Sequence, residues 1–311
     1  EHFLKCDKAP VFSFTPDTDF PVCNGEKGIM SLDLIFEKGQ GNLVFIDGGI
    51  ASNMVADRCT MVLSNIKLDL LASKLTGDDF TLVQNEMNVK ITAKGVSSHA
   101  AHPDNSVNAI SKLAKILLEN DFVTGNHKII LEHLVTILSD YNGVSLNIAF
   151  SDEPSGKLTH IGGMIRQIDD RINLNLNIRY PVTIKCKQII DGLEKSKQIY
   201  NYIIDSLHDS PPSYTPADSS VIKILGETFN SVTQKQMQPY IMGGGTYARY
   251  LPNTIAFGPH FPDRKSLFVD PGRGSCHQPD ECQNIDDLIM AIKIYVLSIL
   301  EIDSLDFSNS N

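Results

Sequence analysis

An α/β fold containing a β-rich α+β block is what the 311-residue sequence predicts, on three observations. Apolar and polar residues alternate in several runs between Gly25 and Ser210, the period of half-buried strands. Consecutive prolines in Asp209-Ser210-Pro211-Pro212-Ser213 then mark a linker, because proline cannot continue a helix or an interior strand. After the linker, helix-like and strand-like segments alternate to the end of the chain, as they do in layered α/β domains.

The elements follow in order. A short β-like run, Val11 to Phe14, leads into a turn-rich stretch holding Pro16, Pro21, Asn24, Gly25 and Gly28, which places Asp17 at a strand end. Strand-like runs follow at Ile29 to Phe36, Leu43 to Ile46 and Cys59 to Leu63, with a helix or loop near Ile66 to Ser73. A second block opens with the alternation Asn88 to Ala93 and passes through the loop Lys94 to Asn105. It enters a helix over Ser106 to Asn120, where Val107, Ile110, Leu113, Ala114 and Leu117 share a face and Asn105 or Ser106 serves as cap. Strands recur at His160 to Gln167 and Arg171 to Tyr180, and Pro181 stops the second of them. Lys187 to Ile203 is helix-like, and the two blocks together suggest two related β-rich halves. Beyond the linker, Ser219 to Val232 and Ile285 to Leu300 are helix-like, the latter capped by Asn284, with strands at Gln238 to Met242 and Thr254 to Phe257.

A chain that is 42% hydrophobic and 21% charged has the material of one large or two medium domains. A formal charge of -10 argues against a nucleic-acid partner, which demands clustered Lys and Arg. No apolar run is long enough to span a bilayer, and the start Glu1-His2-Phe3-Leu4-Lys5 lacks the pattern of a signal peptide. Six scattered cysteines fit a reducing compartment better than a disulfide scaffold, so a cytoplasmic location without a membrane is expected.

Divalent ions are held by carboxylates and imidazoles brought together from strand ends and loops. Asp17 is one candidate. His277, in Gly274-Ser275-Cys276-His277-Gln278-Pro279-Asp280-Glu281 just before the last helix, is another. Gly243-Gly244-Gly245-Thr246 follows a strand-like run and reads either as a carboxylate-binding loop of exposed main-chain amides or as a tight turn. In Gly95-Val96-Ser97-Ser98-His99-Ala100, His99 stands on a loop where it could donate a hydrogen bond to a developing oxyanion. His102-Pro103-Asp104 superficially matches a metal motif but is adequately explained as a turn before a helix.

Five segments then occur in an informative order: Thr15-Pro16-Asp17-Thr18-Asp19-Phe20-Pro21 followed by Gly25-Glu26-Lys27-Gly28; the His99 loop; Asn177-Ile178-Arg179-Tyr180-Pro181; Gly243-Gly244-Gly245-Thr246-Tyr247; and His277-Gln278-Pro279-Asp280-Glu281. In this order they resemble the PepV-like branch of the M20 metallopeptidases. The resemblance implies a zinc-peptidase-like catalytic domain, incomplete here, made of residues 1–24 and 211–311, with an inserted lid domain over 25–210 whose two halves are related. It implies two divalent ions, zinc or manganese, in the complete enzyme, with Asp17 on one and His277 on the other. It further implies His99 and Asn53 as lid groups reaching the scissile peptide. Arg179 would clamp the substrate's terminal carboxylate, and Gly244, Gly245 and Thr246 would line its pocket.

The family's other metal ligands and its general base have no counterpart in these residues and are expected upstream of Glu1. The function so implied is metal-dependent hydrolysis of dipeptides or small peptides by a monomer, with negligible activity and doubtful metal occupancy for this chain alone. An aminoacylase or carboxypeptidase of the same superfamily is a nearby alternative. A non-catalytic relative serving binding or assembly is a more distant one.

Overall fold

The computed structural model describes residues 2–264, 273–274 and 279–305. It is a mixed α/β structure that divides into two compact units, residues 1–27 with 212–311 and residues 28–211. The first unit begins with α1 (His2–Cys6), β1 (Ser13–Thr15), β2 (Thr18–Asp19) and β3 (Cys23–Glu26).

The second unit runs through β4 (Gly28–Glu37), β5 (Leu43–Gly48), β6 (Arg58–Ser64), α2 (Leu68–Ala72), β7 (Phe80–Asn85) and β8 (Asn88–Lys94). It continues with α3 (Ala109–Glu119), α4 (Asn126–Ile137), β9 (Ser151–Asp152), β10 (Gly156–Lys157), β11 (Thr159–Ile168), β12 (Arg171–Tyr180), α5 (Cys186–Tyr200) and β13 (Ile203–Ser210). Eight of these strands form one antiparallel sheet in the order β13-β4-β12-β11-β5-β6-β8-β7. Its middle is narrow: β11 meets β5 only where Ile165 and Arg166 face Gly48 and Asp47. On β12 the alternation has a direct consequence, because Ile172, Leu174, Leu176, Ile178 and Tyr180 enter the core while Asn173, Asn175, Asn177 and Arg179 share the opposite face. The same core takes Ile110, Leu113, Ala114 and Leu117 of α3, Leu131 and Leu134 of α4, and Ile189 and Leu193 of α5.

The chain then completes the first unit with β14 (Ser213–Tyr214), α6 (Ser220–Thr233), β15 (Tyr240–Met242), a 3-10 turn (Tyr247–Tyr250), β16 (Thr254–Ala256), β17 (Pro259–His260) and α7 (Ile285–Asp303). Its sheet has the order β1-β16-β3-β14, with β15 also on β3, and β1/β16 and β15/β3 are parallel pairs. Phe20, Val22, Ile255 and Phe257 pack with α6 through Ile222, Leu225 and Phe229 and with α7 through Ala291 and Ile294. Phe20 lies at the centre of this cluster, its ring 4.9 to 5.1 Å from those of Phe229, Phe257 and Phe261.

Local expectations are corrected at three places. The cap of α3 is Asn108, whose side chain accepts from the Ile110 amide, rather than Asn105 or Ser106. The helix expected to reach Ile203 stops at Tyr200, because Asn201 adopts a left-handed conformation and Ile203 starts β13. Between Asn120 and His160, where no element was expected, the chain forms α4. The expected cap Asn284 does accept a 2.8 Å bond from the Asp286 amide.

Candidate functional site

In the second unit the turn carrying Asn53 and the loop carrying His99 are joined main chain to main chain. The Ala100 amide donates to the Asn53 carbonyl at 2.9 Å, the Val55 amide to the Ser98 carbonyl at 2.9 Å, and Met54 forms an isolated antiparallel bridge with His99. What seats the Asn53 turn is Gly163 on β11. A Cβ there would collide with the Ser52 carbonyl oxygen and stand 2.8 Å from that of Ala51, so only glycine admits the turn so close to the strand. Arg166 secures the approach, donating from Nη2 to the Gly49 carbonyl at 2.6 Å and pairing with Asp47 at 3.3 Å.

Asn53 is exposed and His99 half-buried. Nδ1 of His99 accepts from the Ala101 amide at 3.2 Å. An imidazole that accepts at Nδ1 carries its proton at Nε2 when neutral, which makes Nε2–H the donor.

The same loop leads to Arg179. Thr159 donates its hydroxyl to the Ala100 carbonyl at 2.8 Å and stands opposite Arg179 in the β11/β12 register. Arg179 is 4% exposed, and its Nε donates to Oδ1 of Asn177 at 2.8 Å, two residues back on the same face of β12. Bonding at Nε fixes the plane of the guanidinium and therefore the direction in which its two terminal nitrogens face. The segments carrying Asn53, His99 and Arg179, distant in sequence, are thus linked through Ala100 and Thr159.

In the first unit, Asp17 is exposed in the link between β1 and β2. The parallel pairs β1/β16 and β2/β17 flank it, with Thr15 opposite Ala256 and Thr18 opposite Pro259. Gly244 is half-buried, Gly245 exposed and Thr246 buried. Thr246, which closes the glycine run, is bound to a carboxylate of the protein itself, that of Glu26. Thr246 donates its amide at 2.9 Å and its hydroxyl at 2.5 Å to Glu26 Oε1, while Arg249 Nε donates to Oε2 at 2.8 Å. Nη2 of Arg249 continues to the Lys27 carbonyl, and its guanidinium lies so near Gly245 that a Cβ there would come within 2.8 Å of Nε. Glu26, Arg249, Asn177 and Thr159 escaped the sequence reading. Glu26 and Asn177 lie inside quoted motifs, yet nothing in residue type alone distinguishes a buried anchor from a solvated polar group.

His277 lies outside the described residues. Among the described residues no group of three or more His, Cys, Asp or Glu side chains could hold a metal ion. Asp17 therefore has no second and third donor there, and the described residues do not by themselves fit a dication site. The nearest acid and imidazole in the sequence of β2 and β17, Asp19 and His260, pair with each other at 2.5 Å. No helix among the described residues is long and apolar enough to cross a membrane.

A family model described as peptidase family M20/M25/M40 matches residues 48–301. "Putative dipeptidase YtjP" of Bacillus subtilis (strain 168) is 30% identical over 315 residues, covering 97% of this chain and 66% of that protein. "Putative dipeptidase MW1694" of Staphylococcus aureus (strain MW2) is 26% identical over 324 residues, covering 96% of this chain and 65% of that protein. The chain thus spans just under two thirds of the length of the curated relatives it matches. Among solved structures, the aminoacylhistidine dipeptidase from Vibrio alginolyticus aligns with a TM-score of 0.47 at 15% identity, covering 94% of this chain and 65% of that one.

Proposed function

Because the chain belongs to peptidase family M20/M25/M40, we propose that it is the substrate-binding and lid-bearing part of a metal-dependent dipeptidase of the PepV-like branch. On this reading residues 25–210 form the lid, residues 1–24 and 211–311 belong to the catalytic domain, and the protein works as a cytoplasmic monomer. One observation supports the assignment of roles: the main-chain and Thr159 contacts that link the segments of Asn53 and His99 to the strand position of a buried Arg179 oriented by Asn177.

Each role follows from the chemistry of the group. Arg179 takes the C-terminal carboxylate of a dipeptide, for which a planar guanidinium offers two parallel charge-assisted bonds. Nε2–H of His99, which bears the proton when Nδ1 accepts, is assigned to the carbonyl oxygen that becomes negative as the peptide is attacked. Asn53 adds an amide donor to the same carbonyl. Gly244 and Gly245 offer main-chain amides to the substrate, and Thr246 anchors their loop through Glu26.

Two divalent ions, zinc or manganese, belong to the proposal for the complete polypeptide, with Asp17 on one and His277 on the other. The remaining ligands and the general base are assigned to polypeptide outside these residues. The 311-residue chain alone is accordingly proposed to be almost inactive.

The test is dipeptide hydrolysis with added Mn or Zn, by this chain alone and by the chain joined to the third of the Bacillus subtilis relative that it does not cover. Hydrolysis by the joined protein only is the expected result. Rapid hydrolysis by the chain alone would overturn the inactivity. A joined protein that binds dipeptides and never cleaves them would make this a binding protein instead.

A further inference from the structure

The sequence holds two Asn-Gly steps, Asn24-Gly25 and Asn142-Gly143. Asparagine is a chemically labile residue. Before glycine it is most exposed to attack by the next amide nitrogen, because glycine has no Cβ to obstruct the approach and the widest choice of backbone angles. The fold treats the two steps differently. Gly25 lies in β3 opposite Tyr214 on one side and Ile241 on the other. Asn24 is 4% exposed and donates its side-chain amide to the Thr215 carbonyl at 2.8 Å, so this step is held extended inside a sheet.

Asn142-Gly143 lies instead in the turn between α4 and β9, outside any helix or strand. The carboxylate of Asp140 organises this turn. Its Oδ1 accepts from the amides of Asn142 at 2.8 Å and Val144 at 3.2 Å, and its Oδ2 from that of Ser145 at 3.4 Å. Gly143 is passed over. Among the described residues its N–H donates to no acceptor, an uncommon state for a main-chain donor. The nitrogen left unbonded in this run is therefore the one that adjoins the side chain of Asn142. The turn also demands the glycine, since its φ is 79° and a Cβ would stand 2.5 Å from Ile148.

We propose that Asn142 is a site of spontaneous deamidation. The Gly143 nitrogen gives its proton to solvent base and bonds to Cγ of Asn142, and Nδ2 takes up a proton and leaves as ammonia. Water then opens the cyclic imide. Addition at Cγ breaks the new C–N bond and yields aspartate. Addition at the main-chain carbonyl of residue 142 breaks the original peptide bond and yields isoaspartate, whose main chain is longer by a methylene. Overall a water is consumed and an ammonia released. Either product loses the bond that Nδ2 of Asn142 donates to the Leu158 carbonyl at 3.1 Å, and each adds a negative charge two residues from Asp140. Leu158 leads into β11, and the neighbouring Tyr141 carbonyl accepts from the His160 amide at 2.8 Å. Deamidation thus loosens the start of β11, where Thr159 stands opposite Arg179. None of this depends on whether the protein cleaves peptides.

The 311-residue chain itself serves for the test. It is aged in mildly alkaline buffer, folded and in concentrated urea, and the amide-to-acid mass shift at Asn142 is followed by peptide mass spectrometry. Conversion in the folded chain is expected within about tenfold of the rate in urea, as for a segment that needs little or no local opening. A folded rate more than about tenfold below that in urea overturns the proposal, since the turn would then protect Asn142 as a strand does. The converted fraction, separated by its extra negative charge and identified by the shift at Asn142, is next compared with fresh protein by hydrogen exchange. The His160 amide should exchange about 2- to 10-fold faster, the worth of a lost hydrogen bond, while exchange in α5 is unchanged. Equal exchange at His160 overturns the coupling of this site to β11.

Discussion

Thr246 gives Glu26 both its main-chain amide and its hydroxyl. Arg249 closes the other side of that carboxylate, and the paired side chains are only 5% and 2% exposed. A buried ion pair is costly to form and more costly to break, because removing one partner leaves the other charge uncompensated. Glu26→Ala should therefore lower stability by about 3–5 kcal/mol in urea unfolding. Glu26→Gln keeps an acceptor for Thr246 and should lose less. A loss below about 1 kcal/mol for Glu26→Ala, the range of exposed pairs, would show that the pair is not desolvated.

Gly163 makes a different kind of demand, one of space. Replacing it with Ala drives a methyl into the Ser52 carbonyl, and such overpacking costs about 1–3 kcal/mol. The turn at Asn53 must then move, and with it the acceptor of the Ala100 amide. Hydrogen exchange at Ala100 should accelerate in Gly163→Ala while exchange in the distant helix α5 stays unchanged. An Ala100 amide that remains as protected as before would mean that the turn does not depend on this glycine.

How much of this was legible beforehand depended on whether residue type alone decides the outcome. The strand alternation of β12 and the Asn284 cap of α7 were visible because the period of two and the cap chemistry are local. Helix α4 was not, since its cap is Gly125 with φ of 63° and no side-chain bond, and a buried His127 interrupts its apolar face. Asn53 could be nominated only through resemblance, and its pairing with the His99 loop could not be read at all, because the bonds that join the two run through main-chain atoms that any sequence provides. Glu26 stayed hidden for the opposite reason. Its neighbours in sequence look like a solvated turn, and it is buried only because β3 lies inside its sheet.

The role given to Arg179 can be separated from its contribution to folding by varying the substrate. In the completed protein, Arg179→Ala should reduce kcat/KM for dipeptides with a free C-terminus by about 10- to 150-fold, the value of a charged hydrogen bond of about 1.5–3 kcal/mol. Dipeptides ending in an amide offer no carboxylate to grip and should be affected far less. Equal losses on both would remove the carboxylate clamp and leave Arg179 a structural residue held by Asn177.

His160 sets an acid limit on the second unit. Its ring is fully buried on β11, opposite Ile178, and burial pushes its pKa down to about 4, against a smaller upward pull from Asp140. In the unfolded chain the same imidazole takes a proton near pH 6.5. Between these values the unfolded state binds a proton that the folded state refuses, so stability is full above about pH 6.5 and falls as the pH drops toward 4. The loss from this residue is on the order of 3 kcal/mol, and His127 and His133, both also lowered by burial, act in the same direction. Urea unfolding at pH 7, 5.5 and 4.5 should show the decline, and His160→Leu should flatten it. A variant whose stability falls as steeply as that of the unaltered chain would place the acid sensitivity elsewhere.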